Sequence, residues 1–466
     1  MSAAAAQART APAALEAAPA FLLVCMALIL GGSSAGAAST LYVRLAAIPV
    51  LIVALWRLSG ARPAIEARWP AIIFAVALLA AAVQLIPLPP SAWTALPGRA
   101  IVVQGYQAAG MPLPWLPISL APDATFDGLL GFLPAAAMFL SVLTLDGRGR
   151  RALLAAVLAV AFLAVIAGML QMATGPAGPF RPYAITNRDS AVGFFANRNH
   201  QAAFLLCAIP TAAYWAVRPA GKAWDRSLFI AGLAIAVFMV LVVSLSLTRS
   251  RAGVLLLAPA LIGSAFVAAR RRNGGLSWAP PAILASAGVV AIGLVILFSF
   301  NVLASRFHAD LNEDMRAQVT PLISRASEAY APVGTGLGSF QAVYEVMERP
   351  ESMTSRYINH AHDDYLETWL ELGAAGAAVI VAFVAWWAVT TIRILRRRAG
   401  EASLAMAGAV MVGVLLAHSW VDYPLRTPAL ATLFALGCAL MIPPPGAATE
   451  PTGPRRRTSR RELAPA

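Results

Sequence analysis

The stretch ALLAAVLAVAFLAVIAGMLQM fills residues 152–172 and contains no charged side chain. Its length matches the roughly 20 apolar residues that an α-helix needs to cross a bilayer. Similar stretches recur along the chain, so the sequence predicts about twelve membrane-spanning helices. Their approximate bounds are 20–37, 40–56, 69–87, 126–145, 152–172, 200–217, 228–247, 252–269, 282–301, 369–392, 403–421 and 428–442.

The composition agrees with this prediction. Of 466 residues, 59% are hydrophobic and only 12% are charged, whereas soluble globular proteins carry about 25% charged residues. Such a chain lacks the polar surface that water-soluble domains need, and the same composition excludes a disordered protein, a coiled coil and a disulfide scaffold. The expected fold class is therefore all-α, as a polytopic integral membrane protein.

The basic residues predict how the helices are oriented. With the N-terminus in the cytoplasm, 22 of the 35 basic residues fall on the inner side, and every inner segment contains at least one. This bias is the positive-inside rule, and it predicts that both termini are cytoplasmic. The net charge of +13 is then an orientation signal and gives no evidence for nucleic acid. Because Arg9 is the only basic residue before the first apolar stretch and Glu16 follows it, we expect that helix to be retained rather than cleaved.

The chain is expected to form one membrane domain with a large outer loop. Residues 1–301 would hold helices one to nine, 302–368 the loop, 369–442 helices ten to twelve, and 443–466 a basic cytoplasmic tail. The loop is the most polar part of the chain, and a loop of this length is usually functional. Within it, Phe307–Tyr330 is predicted to be helical, with a stop near Pro332.

The same loop contains the sequence Gly334-Thr-Gly336-Leu-Gly338. The glycine spacing is superficially that of a dinucleotide-binding loop. The strand–turn–helix setting of such loops is missing, however, and no Gly-Lys-Ser/Thr is present. A flexible turn is therefore the prediction.

Two clusters of polar residues lie at predicted outer helix ends before the large loop. The first runs from Arg181 to His200, and its arginine forks and asparagine amides are suited to phosphate oxygens and sugar hydroxyls. Its last residues, Asn197, Asn199 and His200, are equally suited to capping the next helix. The second cluster places Arg249 and Arg251 between two apolar helices, where they need anionic partners. Lipid headgroups and a bound phosphate are both possible partners.

Two further clusters follow. Asn359–Glu367 contains His360 and His362 beside Asp363 and Asp364, which suits a general base with an orienting carboxylate, a metal site or a polar helix start. His418–Arg426 places His418 and Asp422 four residues apart, so that they can share a helix face. For that pair, a structural and a functional role remain equally open.

Taken in this order on a chain of about twelve spans, the clusters resemble those of the bacterial O-antigen ligase and polymerase family. The stretches that carry the resemblance are Gly193-Phe-Phe-Ala-Asn197-Arg-Asn199-His200, Leu247-Thr-Arg-Ser250-Arg251-Ala-Gly253, Gly334-Thr-Gly336-Leu-Gly338-Ser-Phe340 and His360-Ala-His362-Asp363-Asp364-Tyr365-Leu366-Glu367. The similarity covers roughly residues 150–440. It implies an integral-membrane glycosyltransferase-like fold in the bacterial inner membrane, with an active face toward the periplasm.

The resemblance also implies an activity and its partners. Members of the family take a glycan from undecaprenyl pyrophosphate and pass it, with inversion, to lipid A-core (the ligases) or to another lipid-linked repeat (the polymerases). No metal, cofactor or nucleic acid is expected, and membrane lipids surround the chain. A lipid-linked glycan transporter is the alternative outside this family. Such a protein is expected to have charged residues near the middle of its membrane-spanning helices, where this sequence has almost none.

Site residues follow from the same resemblance. His362 is expected to be the catalytic base, and Arg188 and Arg251 are expected to bind the pyrophosphate. The family often has Asn after that histidine, and this chain has Asp363, which leaves the local orienting contact open. The expected supporting residues are Asn197, Arg198, Asn199, His200, Arg249, His360, Asp363, Asp364, Asp422 and Arg426.

Overall fold

The computed structural model describes residues 13–34, 38–60, 63–216, 224–269, 289, 293, 315–348, 358–397 and 402–445. Within these segments the secondary structure is almost entirely helical. The helices are α1 (Ala13–Leu30), α2 (Ala38–Gly60), α3 (Arg68–Val83), α4 (Pro90–Trp93), α5 (Ala100–Ala108), α6 (Pro122–Gly131), α7 (Leu133–Thr144), α8 (Gly147–Thr174), α9 (Arg198–Ala216), α10 (Trp224–Leu247), α11 (Arg251–Ala269), α12 (Met315–Tyr330), α13 (Phe340–Met347), α14 (Asp364–Arg396), α15 (Ala402–His418) and α16 (Pro428–Leu440). Single 3₁₀ turns cover Ile65–Ala67 and Pro424–Arg426.

The all-α prediction is confirmed apart from one small feature. Two-residue strands, β1 (Pro87–Leu88) and β2 (Leu116–Pro117), pair antiparallel in the loop that precedes α6. They lie at the two ends of residues 87–117, a stretch rich in proline that also contains two tryptophans, and they do not change the fold class.

The protein is a multi-pass membrane protein. In the described segments, six helical stretches are long and apolar enough to cross a bilayer: Ala38–Gly60, Ile65–Val83, Pro122–Thr144, Gly147–Thr174, Arg251–Ala269 and Asp364–Arg396. Each predicted span except the ninth overlaps a helix, but several of these helices are shorter than a full span. The ninth, 282–301, lies outside the described residues apart from two positions. The count of twelve therefore stays a prediction.

Close packing between apolar helices forms the main core. Helix α7 packs on α2 and α16, α9 packs on α10 and α11, and α15 packs on α16. At the α15–α16 contact, a Cβ on Gly408 would lie 2.5 Å from the carbonyl oxygen of Gly437. The absence of a side chain at Gly408 therefore lets the two backbones approach, as small residues do in membrane helix pairs.

A second core covers one end of the bundle. It joins α12, α13 and the first turns of α14 through buried residues that include Val319, Ile323, Phe340 and Leu370. The helix predicted over Phe307–Tyr330 is confirmed from Met315 onward, and 307–314 lies outside the described residues. This layer carries the loop in which His362 lies.

The glycine-rich turn is docked against a kink in α14. Gly373 has a φ of 57° inside the helix, and the kink leaves neighbouring carbonyl groups without helical partners. The N–H groups of Thr335 and Gly336 donate to the carbonyl oxygens of Leu370 and Glu371, at 3.0 and 2.9 Å. The predicted turn is confirmed, but it is mostly buried and held by these bonds rather than flexible.

This docking predicts that Gly373→Ala destabilises the fold by about 1–3 kcal/mol, since a side chain at positive φ is strained. The new Cβ would also meet the carbonyl oxygen of Pro332 at 2.1 Å. Thermal unfolding in detergent measures the effect. Gly105→Ala is the matched control, because its Cβ has no atom within 4 Å. Equal unfolding midpoints for the two variants would contradict the docked turn.

Candidate active site

A cavity of about 1380 Å³ opens at the end of the bundle where α9, α11 and α14 begin. Its mouth is polar and includes residues of all four sequence clusters. Its deeper walls are apolar and include Phe74, Phe139, Phe383 and Phe434. A cavity with a polar mouth and an apolar interior can hold an amphiphile whose charged head stays at the mouth.

His362 and Asp422 form a hydrogen-bonded pair at this mouth. The Nδ1 of His362 lies 2.9 Å from Oδ1 of Asp422, although the two residues are sixty positions apart. A carboxylate accepts only, so Nδ1 is the donor in this contact, and in the neutral imidazole Nε2 then has the lone pair that a base needs. The backbone of His362 has a φ of 54°, an uncommon conformation for a residue other than glycine. Such outliers tend to occur at functional sites, where the surrounding structure holds them in place.

Asp422 is fully buried and remains ionised. Burial by itself raises the pKa of Asp422. The hydrogen bond from His362 and the electrostatic interactions with His200, His362 and His418 outweigh this effect, so the pKa lies below its ordinary value. The other oxygen, Oδ2, accepts from Nδ2 of Asn197 at 3.2 Å. The stability that ionised Asp422 contributes is present at neutral pH and is lost only as the pH falls through the depressed pKa.

Tyr423 packs among three of the histidines. Its ring centroid lies 4.2 Å from that of His360, 4.8 Å from His200 and 4.9 Å from His362. Its side chain is hydrogen-bonded to Asn359 and Asn197. The ring therefore fixes the orientation of the imidazoles on one side of the cavity mouth.

A buried ion cluster joins residues that follow His362 and Asp422 in the chain. Nη1 of Arg426 lies 2.7 Å from Glu371 and 3.4 Å from Glu367, and its Nε lies 3.5 Å from Asp364. Burial lowers the pKa of Arg426, but the three carboxylates outweigh this effect and raise it. Ser419 also donates to Asp364 at 2.8 Å. The cluster ties the start of α14 to the 424–426 turn.

Glu367 clamps the residues just before His362. Its Oε1 lies 2.8 Å from Nδ1 of His360, and its Oε2 accepts the N–H of Ala361 at 2.8 Å. Each histidine of the His-Ala-His sequence thus has its own carboxylate. In the described part of the chain, no group of three or more histidine, cysteine, aspartate and glutamate side chains is arranged to hold a metal ion.

The first two sequence clusters contribute Arg198, Arg249 and Arg251 to the lining of the cavity. Arg198 and Arg249 both lie 3.8 Å from the carboxylate of Asp189, which is only half-buried. Arg249 has a φ of 53°, so a second uncommon backbone conformation occurs at this site. Ser250 links the two helix starts by donating to Asn199 at 2.8 Å. The arrangement concentrates positive charge where an anionic head group would enter.

Arg188 lies elsewhere. Its guanidinium donates to the carbonyl oxygens of Pro176 and Ala184, at 3.2 and 3.1 Å, and it is not among the residues that line the cavity. Arg181 likewise holds carbonyl groups of the same segment, including those of Asn187 and Ser190. Both arginines fix the loop that precedes α9 rather than facing the cavity.

The capping interpretation holds for part of the clusters. Asp363 caps α14 by accepting from the N–H groups of Tyr365 and Leu366, so the orienting partner of His362 is Asp422 and not the adjacent residue. The oxygen of Asn197 accepts from the N–H of Asn199, as a helix cap does, while its amide donates to Asp422, a contact that the sequence did not predict. His200 and His418 are buried beside Asp422.

Several residues at the site were not predicted from the sequence. Glu367, Glu371 and Tyr423 lie in or beside the quoted clusters, and Asp189 lies within the first. One available signal was the spacing of Asp364, Glu367 and Glu371, which places three carboxylates on one helix face. The sequence could not indicate a role for Tyr423, because the residues that it contacts come from distant parts of the chain.

The comparison with known families adds to this geometry. Residues 234–381 match the O-antigen ligase family. The match runs from within α10 into α14 and includes Arg249, Arg251 and the His362 loop. The resemblance seen in the sequence is thereby confirmed for an O-antigen ligase domain in this part of the chain. Asn197, Asp422 and Arg426 lie outside the match and reach the site through the fold. No curated protein matches the chain.

The ion cluster predicts a stability effect. Arg426→Ala would leave three buried carboxylates without their cation, and breaking a buried pair in this way costs about 3–5 kcal/mol. Thermal unfolding of the purified proteins measures the loss of stability relative to wild type. This difference should become smaller at acidic pH, because protonated carboxyl groups need no cation. Arg397→Ala is the control, since its 3.7 Å contact with Glu66 is much more exposed. A variant as stable as wild type would show that the cluster does not support the fold.

Proposed function

We propose that this protein transfers a glycan from undecaprenyl pyrophosphate to an acceptor hydroxyl, with His362 as general base. The O-antigen ligase match supports the reaction class. The observation that carries the assignment is the His362–Asp422 pair at the mouth of a cavity whose lining also includes Arg198, Arg249 and Arg251. Lipid A-core is the acceptor that we propose, as in the ligases.

The donor would bind with its pyrophosphate among Arg198, Arg249 and Arg251. Arginine forks match phosphate oxygens and stay charged at any physiological pH. As the bond between the sugar C1 and the pyrophosphate oxygen breaks, negative charge grows on the leaving group, and fixed cations lower the barrier most at that moment. The prenyl chain would occupy the apolar depth of the cavity, beside membrane lipids.

Arg188 would support this site from outside. It holds the segment that carries Asn187 and Asp189, and Asn187 accepts the N–H of Arg198 at 2.9 Å. We therefore propose that Arg188 contributes to pyrophosphate binding by fixing the position of Arg198.

The acceptor hydroxyl would lose its proton to Nε2 of His362. Asp422 keeps the imidazole in the required tautomer and stabilises the imidazolium that forms. The acceptor oxygen would attack C1 on the face opposite the pyrophosphate, so that one bond forms as the other breaks and the anomeric configuration is inverted. The proton on His362 could then pass to solvent or to the released pyrophosphate.

We further propose that the cavity mouth faces the periplasm from the bacterial inner membrane, with both termini cytoplasmic. Supporting this, the basic residues Arg57, Arg148, Arg150 and Arg393 lie at helix ends away from the cavity mouth. The periplasm has no ATP, so a donor that already carries a good leaving group fits this side.

His362→Ala and Arg251→Ala should each abolish glycan transfer while the protein stays in the membrane. The first variant lacks the base, and the second lacks a cation for the leaving group. Transfer is measured with purified protein in liposomes, using the lipid-linked donor and either lipid A-core or a second lipid-linked repeat as acceptor. Arg397→Ala should retain activity. Wild-type transfer by both site variants would refute the assignment.

The same assay separates the remaining alternatives. Elongation of the lipid-linked repeat without transfer to lipid A-core would identify a polymerase. Translocation of the donor across the liposome without transfer would identify a transporter instead.

Arg188→Ala should reduce transfer less than Arg251→Ala does, because Arg188 acts through the loop. Its effect should appear mainly as a higher KM for the donor. A complete loss of activity in Arg188→Ala, with unchanged thermal stability, would indicate direct contact with the substrate.

Excess chelator should leave the transfer rate unchanged, since the proposed mechanism assigns each step to a side chain. The rate is compared before and after dialysis against chelator, with divalent metal added back in a parallel sample. Loss of transfer that is restored by metal would revive a metal role for His360 and His362.

A further inference from the structure

A second charged pair opens onto the same cavity, away from the four clusters. Nη1 and Nη2 of Arg44 lie 2.5 and 3.0 Å from the two carboxylate oxygens of Asp127. Arg44 belongs to α2 and Asp127 to α6, and both helices are parts of stretches able to cross the membrane. Arg44 lies six residues into α2, or about 9 Å along its axis.

Charges at this depth need a reason. An ionised side chain in the membrane is costly, and those that occur usually face a cavity or mark a substrate path. In the bidentate contact each group neutralises the charge of the other, but the carboxylate can still accept further hydrogen bonds. Each carboxylate oxygen has a further lone pair that can accept a hydrogen bond.

Exposure distinguishes Asp127 from the other acids of the cavity. Its side chain is 45% exposed, whereas those of Asp364, Glu367 and Glu371 are at most 8% exposed and already serve Arg426. Among the cavity-lining carboxylates in the described part of the chain, Asp127 is therefore the one with room for a ligand.

The space beside the pair is open. Gly131 lies one helical turn after Asp127 and also lines the cavity. A Cβ at Gly131 would have Arg44 Nη2 as its nearest neighbour, 3.8 Å away, which is an ordinary contact distance. A polar group of a ligand can therefore approach the pair from this side.

The charge of Asp127 decides the class of ligand. A carboxylate repels phosphate, whereas it accepts hydrogen bonds from hydroxyl groups. The pair also stands on a different wall from the arginines: α2 packs on α7 and α6 on α3, whereas α9 and α11 pack on each other and on α15. The wall with Asp127 is thus unsuited to the pyrophosphate and suited to sugar hydroxyls.

We propose that Asp127, oriented by Arg44, is a hydroxyl-recognition site for the acceptor glycan. This inference rests on the proposed glycan transfer and adds an acceptor subsite to it. A site built to hydrogen-bond a hydroxyl discriminates strongly against ligands that lack it, so Asp127 would contribute to acceptor specificity.

The test uses two variants that keep both charges. Asp127→Glu moves the carboxylate by one methylene, and the exchange Arg44→Asp with Asp127→Arg keeps an ion pair but puts the cation in the carboxylate position. Each should raise the KM for the acceptor by about tenfold or more, the loss expected for a hydrogen bond to a charged group. The KM for the donor should change by less than about twofold, because the substitutions weaken binding of the acceptor only.

Two further variants complete the design. Gly131→Leu should raise the KM for the acceptor in the same way by filling the open space, with the ion pair intact. Glu66→Gln is the control, because it removes a carboxylate from the contact with Arg397, outside this cavity. It should leave both constants unchanged.

The acceptor in these assays is lipid A-core or a lipid-linked repeat, whichever the wild-type protein uses. If the KM for the acceptor is unchanged in these variants, or in the Arg44→Asp, Asp127→Arg exchange alone, the inference is overturned. An equal rise in the KM for the donor and in the KM for the acceptor would also overturn it. The proposed function would still stand in these cases, because wild-type transfer would be intact. Absence of transfer by the wild-type protein would refute the proposed function and this inference together.

Discussion

The guanidinium of Arg426 lies among three buried carboxylates, and the geometry of the site depends on that contact. Glu367, Glu371 and Asp364 come from the start of α14, whereas Arg426 ends the short turn before α16. His362 precedes α14 and Asp422 precedes the turn, so the ion cluster holds together the two segments that form the dyad. A buried cluster of this kind tolerates little movement, because losing one partner leaves uncompensated charge.

Charge and apolar surface are separated along the cavity. The dyad and most of the lining arginines lie near helix ends, and the apolar lining includes Phe74, Phe139, Phe383 and Phe434. An amphiphilic donor can satisfy both parts at once, with its anionic head among cations and its chain among apolar walls. Leu337, Gly338 and Phe340, from the docked glycine turn and the start of α13, belong to the lining of the same cavity.

The sequence predicted much of this arrangement, because apolar length and local motifs are visible along the chain. The apolar helices, the His362 loop and the cluster around Asp422 and Arg426 were identified in this way. What the sequence could not predict was the pairing across distance. Nothing local shows that Asp422, sixty residues away, orients His362 while Asp363 only caps a helix. Likewise, Arg188 and Arg198 look alike in the sequence, and the path of the loop decides which of them faces the cavity.

The central claim is a single displacement at C1, with His362 removing the proton of the attacking hydroxyl while the arginines hold the leaving pyrophosphate. Its stereochemistry tests the claim most directly. The configuration of the new glycosidic bond can be determined by NMR and compared with that of the sugar–pyrophosphate bond in the donor. The account predicts inversion. Retention of configuration would require a covalent intermediate or a second displacement, and it would contradict the mechanism.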